Sequence, residues 1–275
     1  MHVKRQLGSA AKFVVLAILL VLFLIPFLLL LLNSLKENAM ITSNPLALPT
    51  SFQFANYSNA FKQMNYLDAF TNTIIITAFS VILIGICGAM TAHYFVRNPS
   101  RLNQNTFLFM VASMIIPFQA IMIPLVKIYG SLDMLNSKTS LIFMYLGFGS
   151  SLAVFIYHGF IKSIPKELEE AAMIDGCSRI RMFFQIVFPV LVPTTVTIGI
   201  LNVLWIWNDF LLPSLILVEP GQRTLPLSTF SFYGTYTVDY GPLMASLMLT
   251  ILPVVIVYLF AQKYIIQGVM QGSVK

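Results

Sequence analysis

Six stretches of this chain, at residues 13–32, 70–93, 106–127, 139–161, 183–206 and 243–261, carry no Asp, Glu, Lys or Arg short of their ends. An apolar run of about 20 residues, wound as a helix, crosses a hydrocarbon core of about 30 Å. Lipid offers no partner for exposed peptide groups, and the runs lack the alternation of barrel strands, so helices are the only choice. The rest of the composition agrees: of 275 residues, 58% are hydrophobic and 9% charged, where a soluble chain carries about 25% charged residues. An ordinary soluble enzyme, a disordered protein and a nucleic-acid-binding protein are thereby excluded. The expected fold is an all-α integral membrane protein with six transmembrane helices.

The first run follows Lys4, Arg5 and Lys12. It is longer than the apolar core of a secretory signal, about 7–15 residues, and no small-residue cleavage site follows it, so it reads as an uncleaved span. Six spans put both termini on one side. With that side inside, the cytoplasmic segments hold Lys4, Arg5, Lys12, Arg97, Arg101, Lys162, Lys166, Arg179, Arg181, Lys263 and Lys275. The outer segments hold Lys36, Lys62, Lys127, Lys138 and Arg223. Eleven against five of the 16 basic residues place both termini in the cytoplasm. The net charge of +6 needs no polyanionic partner beyond this bias.

Two outer segments are long, residues 33–69 and 207–242, and rich in Pro, Tyr and Phe. Their aromatics suit an interfacial belt, and equally a docking surface for an extracytoplasmic partner. Cys87 and Cys177 make neither a disulfide framework nor a zinc site. Three histidines, one of them His2, leave no metal-ligand cluster.

One cytoplasmic loop, residues 162–182, stands apart. Glu167, Glu169, Glu170 and Asp175 gather there, four of the ten acidic residues. Pro165 suits a helix start, the glutamates complement the positive end of the helix dipole, and Gly176 suits the left-handed residue that ends it. Leu168, Ala171, Ala172 and Asp175 fall at helical spacing on one side. A short amphipathic helix between spans four and five is expected. A connector lying on lipid is the plain alternative, but a glutamate-rich helix is poorly matched to an anionic leaflet.

Glu170-Ala171-Ala172, then Asp175-Gly176, Ile186 and Pro189 resemble the EAA signature of permease subunits of ABC importers. The stretch from Phe160 to Gly176 is similar to the maltose/multiple-sugar branch. So are Trp207-Asn208-Asp209-Phe210 and the ending Gln262…Gly268…Gly272-Ser273-Val274-Lys275. Phe188 and Ser273 depart from the commoner leucine and alanine. The resemblance implies that Glu170, Ala171, Ala172, Asp175 and Gly176 form a coupling helix docking on a dimer of cytoplasmic ABC ATPase subunits. It also implies a second homologous permease, an extracytoplasmic solute-binding protein and a bacterial-type cell membrane. The implied cargo is a sugar or oligosaccharide, with a polyol or glycerol-phosphate-type solute as the alternative. The chain contains no G-x-x-x-x-G-K-[ST] loop, so ATP is expected to be used by the partner subunit and no cofactor is expected here.

No span carries a charge near its centre, which argues against a carrier driven through buried carboxylates. Candidates for lining a path are Gln119, Asn202, Trp205 and Asn208, with Asn72 weighed as a packing residue. Asn202 and Trp205, three apart, share a helix face. Pro117, Pro124, Pro189 and Pro193 are expected to bend the third and fifth spans. A serine protease reading of Ser150 with His158 fails, because eight helical residues separate them by about 12 Å. A stand-alone channel or carrier has no use for an acidic docking helix.

Overall fold

The computed structural model describes residues 2–234 and 237–273, with side chains described for 12–234, 237–260 and 262. The charges expected at Lys4, Arg5 and Lys263 belong to side chains outside that description. Val274 and Lys275 lie outside the described residues.

In chain order the helices are α1 (His2–Ser34), α2 (Asn38–Ser43), α3 (Ala55–Gln63), α4 (Tyr66–Arg97), α5 (Arg101–Ser113), α6 (Phe118–Ser131) and α7 (Lys138–Ile161). They continue with α8 (Glu167–Ile174), α9 (Arg179–Met182), a π-helical turn (Phe183–Val187), α10 (Phe188–Val190), α11 (Val192–Trp207), α12 (Leu211–Ile216), α13 (Leu225–Ser228) and α14 (Tyr240–Ser273). A single antiparallel bridge, Tyr233 to Val238, is the extended pairing recorded among the described residues.

Lys12–Ser34, Tyr66–Arg97, Lys138–Ile161 and Tyr240–Phe260 are each long and apolar enough to cross a membrane. The runs at 106–127 and 183–206 differ from single straight helices. The third is split into α5 and α6, bent by 104°, and the fifth into Arg179–Val190 and Val192–Trp207, bent by 77°. The chain has six spans when each bent pair counts as one. The first break falls on Met114–Pro117, where a ring without an N–H forces its predecessor out of the helical region. Pro124 lies inside α6 without interrupting it. The second break falls at Leu191, between Pro189 and Pro193, after the π-helical turn has already loosened the register.

The chain divides into two compact units, Met1–Tyr66 with Thr229–Leu252 and Leu67–Ser228 with Pro253–Lys275. In the first, Lys36 is fully buried. Its ammonium donates to Asn33 Oδ1 (3.0 Å), Pro45 O (2.9 Å) and Asn44 O (3.4 Å), which uses all three of its protons. Asn56 Nδ2 donates to the carbonyls of Ser34 and Lys36, so the turn after α1 is closed by side chains. None of the most apolar window of α1 is buried within the chain.

The second unit holds the core, with Ile84, Leu141, Tyr145, Ala153, Tyr157, Leu191, Ile198 and Ile216 fully or almost fully buried. Small residues let α4 and α7 approach closely, the usual device where lipid removes the hydrophobic drive between helices. A Cβ on Gly149 would stand 2.5 Å from Ile84 Cδ1 and 3.0 Å from Asn202 Oδ1. Tyr157 donates to Thr195 Oγ1 at 2.8 Å, tying α7 to α11 just past the fifth-span break.

Candidate functional site: the acidic-loop helix and the broken-span cavity

The acidic loop forms the helix expected of it. α8 carries Glu167, Glu169 and Glu170 in its first turn, where they complement the helix dipole. Gly176 ends it at φ +83°. There Gly176 N–H donates to Met173 O (3.1 Å) and Cys177 N–H to Ala172 O (3.0 Å). That paired closure of the last carbonyls requires a left-handed residue, which glycine adopts without strain.

The faces of α8 differ from the sequence expectation in one respect. Glu170, Ala171, Asp175 and Gly176 are exposed, together with Leu168 and Ile174. Ala172 is 8% exposed and packs into this chain's own core. Glu169 is buried beside it. Its carboxylate accepts from Arg97 Nε (2.8 Å) and from His93 Nε2 (2.9 Å), and Arg97 Nη2 lies 2.6 Å from Oε1. The same Nη2 donates to Ile164 O at 3.0 Å. Burial raises the Glu169 pKa, and the Arg97 and His93 contacts more than offset it, holding the carboxyl below its ordinary value of 4.5. The His93 ring also stands 5.4 Å from that of Phe183. No local sequence signal pairs His93 or Arg97 with Glu169 of this loop, which lies 76 and 72 residues away from them.

The break in the third span opens a cavity of about 650 Å³. Ser113, Met114, Ile116 and Phe118 at the break, the middle of α7 around Ser150 and Ser151, and Asn202 and Trp205 of α11 line it. The structure thus brings together two of the four path candidates. Asn202 is buried and donates to Ile198 O at 2.9 Å. Trp205 is 43% exposed and packs edge-on against Tyr145, 5.5 Å between ring centroids. Tyr145 in turn donates to Asp209 Oδ2 at 2.8 Å. Gln119 is exposed and outside the cavity lining. Asn208 is exposed as well and donates to Leu204 O at 2.7 Å. Asn72 bonds the carbonyls of Gly221 and Arg223 and accepts from Lys138, so it fastens the loop at 221–223.

Residues 82–271 match the family described as the binding-protein-dependent transport system inner membrane component. The chain belongs to this family. The match runs from within α4 through α8 and both span breaks. Among curated relatives, the probable starch degradation products transport system permease protein AmyC of Thermoanaerobacterium thermosulfurigenes is 45% identical over 258 residues, 94% of each chain. The melibiose/raffinose/stachyose import permease protein MelC of Bacillus subtilis is 37% identical over 91% of each. The multiple sugar-binding transport system permease protein MsmG of Streptococcus mutans is 36% identical over the full length of both. A solved chain from a bacterial ABC transporter involved in import of the acidic polysaccharide alginate aligns with a TM-score of 0.79. It is 21% identical, with 94% of this chain and 96% of that one covered. At that identity it speaks for the fold, and the fold it supports is that of an ABC transporter membrane subunit.

Proposed function

We propose that this permease translocates a sugar or oligosaccharide across the cell membrane, driven by ATP hydrolysed on a separate subunit that docks on α8. The observation that carries the cargo is the near end-to-end match to permeases named for starch products, raffinose-type sugars and multiple sugars. Serines and an asparagine beside Trp205, Phe118 and Phe148 in the broken-span cavity are chemically suited to hydroxyl groups and to the flat face of a sugar ring. Support for docking comes from α8 itself, whose exposed side carries Leu168, Glu170, Ala171 and Ile174. Apolar residues in water beside a carboxylate fit a groove on a protein better than solvent.

In this reading both termini are cytoplasmic, and the partners are an ABC ATPase dimer, a second homologous permease and an extracytoplasmic solute-binding protein. Ala172 contributes from behind, by letting α8 sit close to the core, and Ala171 replaces it as the small residue at the partner surface. The deciding experiment is co-purification of the chain with its ATPase subunit, followed by uptake of labelled oligosaccharides into vesicles holding the full importer. Glu170→Ala and Ala171→Trp should insert normally, release the ATPase more readily and lower uptake. Ala172→Trp should instead lower the yield of folded chain. Normal ATPase retention by both Glu170→Ala and Ala171→Trp would end the docking proposal, and failure to import any of a panel of sugars would end the cargo proposal.

A further inference from the structure

We propose that Glu169 is a positioning residue that bolts the coupling helix to the cytoplasmic end of the second span, through Arg97 and His93. This rests on the docking role proposed for α8 and names the route by which a displacement of α8 enters the membrane domain. α8 contains only eight residues, too few to hold a direction by itself. Its outward face is given over to Leu168, Glu170, Ala171 and Ile174, so its grip on the chain must come from the inward face. Two residues there are buried, Ala172 and Glu169. Ala172 offers one methyl group. Glu169 offers a carboxylate held by two nitrogen donors, on Arg97 and His93, that both project from the last turns of α4.

Arg97 adds a second tie. The guanidinium bonds the Ile164 carbonyl in the connector leading from α7, so one side chain clamps both ends of the segment entering α8. A push on α8 is therefore delivered to α4, a helix of 32 residues that reaches the outer side. There Asn72 and Thr73 hold the loop at 221–225. The two adjacent glutamates divide the work, Glu170 facing outward and Glu169 fastening inward.

The test uses the complete importer in proteoliposomes, measuring sugar transported per ATP hydrolysed beside ATPase retention on the chain. Glu169→Gln should keep the ATPase bound yet lower transport per ATP by about tenfold, the loss expected for one charge-assisted hydrogen bond. The charge swap Arg97→Glu with Glu169→Arg should recover part of that loss. Release of the ATPase by Glu169→Gln, or unchanged transport per ATP, would overturn the proposal. Should Glu169→Gln fail to fold, Arg97→Cys with Glu169→Cys bridged by a short thiol-bifunctional reagent, on a chain with Cys87 and Cys177 replaced by Ser, decides the matter. A fixed bolt predicts that the bridged importer still transports, and arrest reversed by cleaving the bridge would overturn it. Glu170→Ala run in parallel reads the docking proposal alone, since it scores ATPase retention whatever happens at Glu169.

Discussion

Gly88 of α4 faces Ala153 of α7 so closely that a methyl group on Gly88 would stand 2.9 Å from the Ala153 Cβ. Both atoms belong to rigid positions, so one helix must shift to admit the methyl. Gly88→Ala should destabilise the folded chain by about 1–3 kcal/mol, and Ala153→Gly in the same chain should restore much of it. Thermal unfolding in detergent, read on both variants, checks the pairing. A neutral Gly88→Ala would show that these helices do not pack as described.

Orientation is tested with thiols. On a chain freed of Cys87 and Cys177, a cysteine at exposed Ser51 should react with an impermeant reagent applied to intact cells. One at exposed Arg101 should react only after the membrane is opened. Labelling of the Arg101→Cys variant in sealed cells would reverse the assignment that the basic residues support.

Trp205 lines the cavity, braced by Tyr145 and, through it, by Asp209. Trp205→Ala should raise the sugar concentration needed for half-maximal uptake several-fold, on the order of 1 kcal/mol for a lost aromatic contact. Tyr145→Phe, which keeps the ring and removes the brace, should act in the same direction and more weakly. Uptake kinetics that move only in maximal rate would speak against a contact with the cargo.

The purified chain should hydrolyse no ATP, since its sequence has no phosphate-cradling loop. Hydrolysis that survives removal of every co-purifying protein would overturn the division of labour between subunits.

The charge on Glu169 gives a pH dependence with a definite sign. Its folded pKa lies below the ordinary 4.5, so the carboxylate stabilises the native chain above that value. The contribution is lost as pH falls through the depressed value. The stability difference between the native chain and Glu169→Gln should be full at neutral pH and shrink in acid. A difference that grows in acid would contradict the assigned ion pair.

Hydropathy alone locates the long helices, because the demand for about 20 apolar residues per crossing is local in sequence. The breaks were half legible. Prolines marked spans three and five, yet Pro124 passes through α6 unbroken while the residues before Pro117 leave the helix. Which proline interrupts a helix depends on whether neighbours serve the freed carbonyl. Helix α8 was legible in position and ends, through Pro165, the glutamates and Gly176. Its rotation was not, since two turns with small residues on several sides fit a core in more than one orientation, and Ala172 accordingly turned inward. The Glu169 contacts lay beyond reach, as His93 and Arg97 stand 76 and 72 residues away.

The interruption at Met114–Pro117 also governs what the surrounding bilayer can do. α6 opens at Phe118, with Pro117 before it offering no side-chain cap to the first amides. Acyl tails cannot hydrogen-bond, and each peptide group left bare among them costs several kcal/mol, roughly the penalty for an unpaired amide in hydrocarbon. The turns of this break leave few such groups open: Met114, Ile115 and Ile116 N–H donate to Val111, Ala112 and Ser113 O, and Ala120 N–H donates to Pro117 O. The kink is thereby suited to greasy surroundings, and a photoactivatable probe dissolved in the membrane interior should mark its exposed Ile115.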